Sequence, residues 1–236
     1  PRAGYETELV LSPTTTPKRL AVVGAGPAGL AFAVEAAARG HQVTLFERDK
    51  EIGGQFNLAS RIPGKEEFTE TLRYFRRRIE LLGIELRLET EADLAQLKGF
   101  DEVVLATGVR PRPLRLDGVD RANVLTYAEA ITGARPVGAR VALIGAGGIG
   151  FDVAEFLSCE SSSTLDAAEW YREWGVDPEI RDRGGLTEKV APHRPREIWL
   201  LQRKEEALGK RLGRTSGWVH RASLRDRGVH MMAGVS

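Results

Sequence analysis

Two glycine triplets carry the clearest chemistry in this chain of 236 residues. Gly24, Gly26 and Gly29 stand in the spacing G-x-G-x-x-G, and Gly145, Gly147 and Gly150 repeat it at an offset of 121. Each follows a short apolar run, Leu20-Ala21-Val22-Val23 or Val141-Ala142-Leu143-Ile144. Each opens an apolar helical pattern, at Pro27-Ala28 in the first copy and Gly148-Ile149 in the second. In that setting the first glycine allows a tight turn, the second lets a pyrophosphate approach the backbone, and the third lets the helix lie close to the strand. Free N–H groups at the helix start then attract phosphate charge. Glycine makes up 26 of the 236 residues, so the spacing alone is weak. The strand, turn and helix around both copies carry the reading, which is two dinucleotide-binding units.

The residue that closes the following strand tells one nucleotide from another, because its side chain faces the adenosine ribose. In the first copy that residue is Glu47, 18 positions after Gly29 and followed by Arg48. A carboxylate accepts hydrogen bonds from a free ribose diol and repels a 2′-phosphate, so the first unit is expected to hold FAD or NAD rather than NADP. In the second copy Ile198-Trp199-Leu200-Leu201 runs into Gln202-Arg203-Lys204, with no carboxylate before Glu205. A 2′-phosphate carries about −1.5 to −2 charges, so Arg203 and Lys204 point to NADPH. Taken alone they read equally well as surface cations; their place in a dinucleotide unit decides. The pair of sites matches a flavin that takes hydride from NADPH. Such a transfer needs positioning more than acid or base groups, and none of the residues is assigned as catalytic.

Other chemistries are excluded by what the chain lacks. Its single cysteine, Cys159, rules out an internal disulfide framework, a Cys-x-x-Cys redox pair and a structural zinc cluster, so redox chemistry must use a bound cofactor. The histidines His41, His193, His220 and His230 show no metal spacing. Lys plus Arg number 34 against 33 acidic residues, which leaves no basic footprint for nucleic acid. The longest uncharged stretch, Leu20 to Val34, contains three glycines and a proline and is short of the roughly 20 residues that cross a bilayer. No membrane partner and a cytoplasmic location are the expectation.

The elements that must position these residues are legible from period and punctuation. The fold class is α/β: two Rossmann-like domains with parallel central sheets and helices on both faces, the NADPH domain inserted in the FAD domain. The first helix runs from Pro27 to Gly40 and the second strand from Val43 to Glu47. Phe68, Leu72, Phe75, Ile79 and Leu82 recur at helical spacing up to Gly83, with Arg76-Arg77-Arg78 largely off the apolar stripe. Strands follow at Ile84 to Leu88 and Val103 to Ala106, and Pro111, Pro113, Asp117 and Gly118 mark the crossing. A helix from Ile149 to about Ser158, a strand from Ile198 to Leu201, a helix from Thr215 to Arg227 and the run Val229 to Met232 complete the second unit. Residues 159–196 are too long for a connection and read as an insertion with Ser161-Ser162-Ser163, Trp170 and Trp174, packed on the surface by its tryptophans. The boundaries are 1–17 as a linker, 18–118 as the first part of the FAD domain and 119–236 as an incomplete NADPH domain. The opening Pro1-Arg2-Ala3 is read as lying inside a longer polypeptide. A segment returning after Ser236 is expected, without which the piece should be unstable or aggregate.

The residues also resemble a known family. Gly24-Ala25-Gly26-Pro27-Ala28-Gly29-Leu30, Glu51-Ile52-Gly53-Gly54-Gln55-Phe56-Asn57, Ile62-Pro63-Gly64-Lys65-Glu66-Glu67-Phe68, Leu105-Ala106-Thr107-Gly108, Gly145-Ala146-Gly147-Gly148-Ile149-Gly150-Phe151-Asp152 and Leu201-Gln202-Arg203-Lys204 are similar to the bacterial NADPH-dependent 2,4-dienoyl-CoA reductases over essentially the whole chain. That family is itself similar to trimethylamine dehydrogenase. The resemblance implies a preceding FMN-binding barrel and a four-iron cluster, both outside these residues. It also implies a relay in which NADPH reduces FAD and electrons pass through the cluster to FMN, which reduces dienoyl-CoA in fatty acid β-oxidation. The FAD contacts it implies are Gly24, Gly26, Pro27, Ala28, Glu47, Gln55 and Lys65, with the segment around Ala92 by the adenine. Gly54 falls by the pyrophosphate, and Arg48 and Gly108 are counted with this site. The implied NADPH contacts are Gly145, Gly147, Gly148, Ile149, Arg203 and Lys204. The alternatives are a trimethylamine or histamine dehydrogenase relative, whose second unit need not use NADPH, and a non-catalytic nucleotide-binding module, which would not bleach a bound flavin with NADPH.

Overall fold

The computed structural model describes residues 3–112, 114, 116–191 and 193–235; Pro113, read as part of the domain crossing, lies outside these, as do the terminal Pro1, Arg2 and Ser236. The chain divides into two compact units, the first formed by Pro1–Ala59 with Glu67–Leu114 and the second by Ser60–Glu66 with Arg115–Ser236.

In the first unit β1 (Arg19–Val23) leads through the glycine loop into α1 (Pro27–Ala38) and β2 (Gln42–Phe46). Then come α2 (Phe56–Ala59), α3 (Phe68–Leu81), β3 (Glu85–Arg87), α4 (Leu94–Leu97) and β4 (Glu102–Leu105). The sheet has the order β3-β2-β1-β4, all parallel, with Val23 paired to Phe46 in the last rung of β1 and β2. Parallel strands need a covered face, and Leu20, Val22, Val43 and Leu45 supply it against Leu30, Ala33 and Val34 of α1. Each large aliphatic side chain so buried contributes about 1.5–3 kcal/mol. The alanines of α1 keep the helix close to the strands, and Gly40 ends it at φ +97°, a left-handed conformation that a β-carbon would strain. α3 buries Leu72 and Ile79. Arg73 pairs with Glu70, Arg77 with Glu80 and Arg76 with Glu51, whereas Arg78 is half-buried and its buried Nε has no hydrogen-bond partner among the described residues. The short α4 is held by a capping box between Asp93 and Gln96, too brief for periodicity to reveal.

The second unit contains α5 (Tyr127–Thr132), β5 (Arg140–Ile144), α6 (Gly148–Leu157), α7 (Ala167–Trp174), β6 (Glu197–Leu201), α8 (Gly217–Asp226) and β7 (His230–Met232). Its sheet is parallel in the order β5-β6-β7, and Ile144 pairs with Leu201 as Val23 pairs with Phe46. The α/β class with parallel sheets thus follows the sequence reading. α6 lies against β5, β6 and α8, burying Phe151, Val153, Ala154 and Leu157. A cavity of about 560 Å³ lies at the opposite end of this sheet from the glycine loop. Two of its arginines are used on the carbonyls that end helices: Arg61 donates to Ile131 and Arg196 to Leu157, the cation placement a helix C-terminus favours.

The insertion is held by a buried ion pair as well as by its tryptophans. Trp170 and Trp174 lie half-buried against each other, with ring centroids 6.0 Å apart. The buried Arg227 at the end of α8 donates to Glu173 of α7 at 2.8 Å, and Ser163 donates to the same carboxylate. Cys159 lies in this neighbourhood, and burial pushes its thiol up. It is therefore a poor nucleophile at neutral pH.

Past α7 the chain folds on Asp177, whose buried carboxylate accepts from Arg181 Nε and N–H at 3.0 Å each and from Glu179 N–H at 3.1 Å. Those donors, Arg181 foremost, hold its pKa at about 2. A depressed folded pKa stabilises at pH above the unfolded value of roughly 3.9, and that stabilisation is lost as pH falls toward 2. Protection of the Asp177 amide, whose N–H donates to Gly185, measured against the intrinsic exchange rate at each pH, should therefore fall between about pH 4 and pH 2. Asp177→Asn should exchange fast at neutral pH and lose the dependence; retention of the acid transition in that variant would assign it to another carboxylate.

Candidate functional site

In the first unit the loop between β1 and α1 is built by close contacts that only glycine tolerates. A β-carbon on Gly29 would stand 1.9 Å from the Gly24 carbonyl oxygen, and one on Gly24, at φ +102°, would stand 2.4 Å from the Ala106 oxygen. The loop after β4, which leads to Gly108 at φ +73°, is thereby pressed against the turn. Gly26 differs, since nothing lies within 4 Å of its missing β-carbon. That is the open approach a pyrophosphate needs above the first turn of α1, where Pro27 removes one N–H that would have no helical partner. The glycine doublet completes the cradle: Gly53 N–H donates to Ala25 O at 2.9 Å, and Gly54 comes close to Gly26. Gln55 and Ala28 are exposed beside it.

Glu47 lies one residue beyond β2, only 7% exposed. Its Oε2 accepts from Ala25 N–H at 2.7 Å and its Oε1 from Asp49 N–H at 3.1 Å. The carboxylate therefore ties the strand end to the glycine loop, a role the sequence does not reveal. Each oxygen still has a lone pair for a ribose hydroxyl. Arg48 points outward, 4.0 Å from Asp49. The segment holding Ala92 is brought to the same place, because Thr90 N–H donates to Glu47 O at 2.8 Å.

The second unit repeats this geometry. A β-carbon on Gly150 would stand 1.9 Å from Gly145 O, Gly145 is at φ +109°, and Gly147 and Gly148 are open. Ile149 is exposed at the start of α6. Gly145 N–H donates to Leu201 O at 2.9 Å, as Gly24 N–H donates to Phe46 O at 2.8 Å. By this register Gln202 occupies the position that Glu47 occupies in the first unit, and Arg203 that of Arg48. The Gln202 amide turns to the loop beyond, donating to Lys204 O at 3.1 Å and Glu206 O at 2.7 Å. Arg203 and Lys204 are exposed, Arg203 with no ion pair to a described residue and Lys204 3.8 Å from Glu206.

Lys65, grouped with the flavin contacts by resemblance, folds with the second unit. Its ammonium lies 2.7 Å from both oxygens of Asp152, in the N-terminal half of α6. Asp152 carried no signal of its own, because its partner is 87 residues away. Among the described residues no group of three or more His, Cys, Asp and Glu could hold a metal, and no helix is long and apolar enough to cross a membrane.

Residues 18–236 match the family model described as pyridine nucleotide-disulphide oxidoreductase. The chain is 35% identical over 170 residues, 70% of its length, to a metal reductase of Desulforamulus reducens, of which it spans 25%. A solved 2-naphthoyl-CoA reductase in complex with 2-naphthoyl-CoA is similar over the whole chain at 27% identity and a TM-score of 0.79, covering 31% of that protein. Histamine dehydrogenase from Rhizobium sp. 4-9 shares the fold, at 19% identity, with a TM-score of 0.66 over 95% of this chain and 32% of its own. The chain therefore spans about a quarter to a third of these relatives.

Proposed function

Since the chain belongs to the pyridine nucleotide-disulphide oxidoreductase family, we propose that it is the FAD- and NADPH-binding part of a larger reductase. The first unit binds FAD and the second NADPH. One observation carries the reading: at the same register position, one residue past the second strand, the first unit has the buried carboxylate Glu47 and the second the neutral Gln202, followed by Arg203 and Lys204. A buried carboxylate accepts from a ribose diol; an amide followed by two cations admits a 2′-phosphate.

The open space at Gly26 and Gly147 fits the two pyrophosphates, each at the start of a helix whose free N–H groups attract the charge. FAD, when bound, supplies the exchange between two-electron and one-electron chemistry that no side chain here can perform. The protein's own contribution is positional. The Gly53-Gly54 doublet and the Ala106 segment shape the first cradle, Glu47 sets the adenosine, and Lys204 with Arg203 selects the phosphorylated ribose. The finer reading is a 2,4-dienoyl-CoA reductase, with FMN and a four-iron cluster in a preceding barrel. It rests on the family resemblance and on a relative named for reducing another CoA thioester.

The test is to load the purified chain with FAD under anaerobic conditions and follow the visible flavin absorbance. NADPH should bleach it at concentrations at which NADH does not. A chain that retains FAD but bleaches equally with both nucleotides would remove the NADPH assignment, and one that melts cooperatively yet retains no flavin would remove the first site.

A further inference from the structure

The loop after β6 carries more charge than the two cations that the sequence singles out. Glu206 is the hub of this loop: its carboxylate lies 3.8 Å from Lys204 Nζ, 3.4 Å from Lys210 Nζ and 3.8 Å from Arg211 Nε. The glutamate side chain is 28% exposed, whereas those of the three cations are 50–78% exposed. The backbone beneath is fixed independently of these pairs. The Gln202 amide closes the turn on Lys204 O and Glu206 O, while Gly234 N–H donates to Lys204 O and Val235 N–H to Gln202 O, both at 3.1 Å. Cations are thus gathered around one carboxylate on a braced loop that directly follows the ribose-facing position.

We propose that Glu206 is a built-in stand-in for the nucleotide's 2′-phosphate, and that Lys210 and Arg211 belong to that phosphate's site together with Lys204. The proposal rests on the NADPH reading of the second unit and adds a specificity-determining residue to it. In the free protein the carboxylate offsets the mutual repulsion of three cations. The bound phosphate, with about −1.5 to −2 charges and three acceptor oxygens, replaces it as their partner. The exchange is feasible because exposed ion pairs at these distances are individually weak and the phosphate makes stronger charge-assisted bonds. Glu206 must then turn aside while its negative charge stays near that of the phosphate. Its presence therefore weakens binding of the 2′-phosphate, leaving a ligand without that group unaffected.

The experiment is calorimetric titration of the full chain with adenosine 2′,5′-bisphosphate and, separately, adenosine 5′-monophosphate, at low and high salt. Glu206→Gln should bind the bisphosphate about three- to tenfold more tightly at low salt, with a steeper salt dependence and an unchanged monophosphate affinity. The double variant Lys210→Ala with Arg211→Ala should weaken the bisphosphate and spare the monophosphate. Unchanged or weaker bisphosphate binding by Glu206→Gln would overturn the proposal, as would equal tightening of both ligands. Arg203→Ala with Lys204→Ala separates the two levels. If that variant loses discrimination while Glu206→Gln does nothing, the NADPH reading stands and the role of Glu206 fails. If it keeps full discrimination, the NADPH reading itself fails.

Discussion

Replacing either Arg203 or Lys204 by alanine should weaken NADPH binding by about ten- to a hundredfold and leave NADH nearly unchanged, and replacing both should weaken it further. Each charge-assisted hydrogen bond to the 2′-phosphate is worth about 1.5–3 kcal/mol, and every 1.4 kcal/mol is a factor of ten. The side chains are exposed and Arg203 has no ion pair with a described residue, so their removal costs the fold little. Gln202→Glu approaches the same question from the other side. It puts a carboxylate where Glu47 stands in the first unit, and should shift preference toward the nucleotide with a free ribose diol. Titration of both nucleotides against these variants measures the effect. A parallel fall of NADPH and NADH affinity would mean that these residues shape the loop without reading the phosphate.

Glu47→Ala should release FAD and also loosen the first glycine loop. Two costs combine. The variant leaves the buried Ala25 N–H without the acceptor now 2.7 Å away, at about 1–3 kcal/mol, and it takes the acceptor from the ribose diol, at a similar cost. Flavin affinity should fall by roughly ten- to a hundredfold for the second term alone. Glu47→Gln separates the two, since an amide oxygen still accepts from Ala25 while the charge that favours the diol is gone. Melting of the flavin-free variants reports the first term, and flavin retained after dialysis the second. If both variants melt lower yet keep flavin as the parent does, Glu47 serves the loop only.

Most of the strand and helix order was readable because the signals are local. Gly40, Gly83 and Gly228 stop helices where a left-handed residue is needed, and the apolar runs before each glycine triplet form β1 and β5 within a residue of the expected limits. What escaped was short or distant. α5 has its sign in Thr126 and Glu129, a capping box that could have been read, but six residues are too few for a period. The Lys65 and Asp152 pair, the Arg227 and Glu173 anchor and the placing of Ser60–Glu66 with the second unit join residues far apart in sequence, and no spacing rule reaches them.

The chain's own residues determine the two glycine turns and what charge follows the second strand of each unit, because turn geometry and the residue after a strand are set by neighbours a few positions away. Tertiary structure decided how those charges are used. Parallel pairing of Val23 with Phe46 and of Ile144 with Leu201 places Glu47 and Gln202 at matching positions, and burial turns Glu47 into a brace for the loop. The fold of the strand exit gathers Lys204, Lys210 and Arg211 around Glu206. Pairing register and burial depend on contacts between segments remote in the chain, and only the folded molecule supplies those.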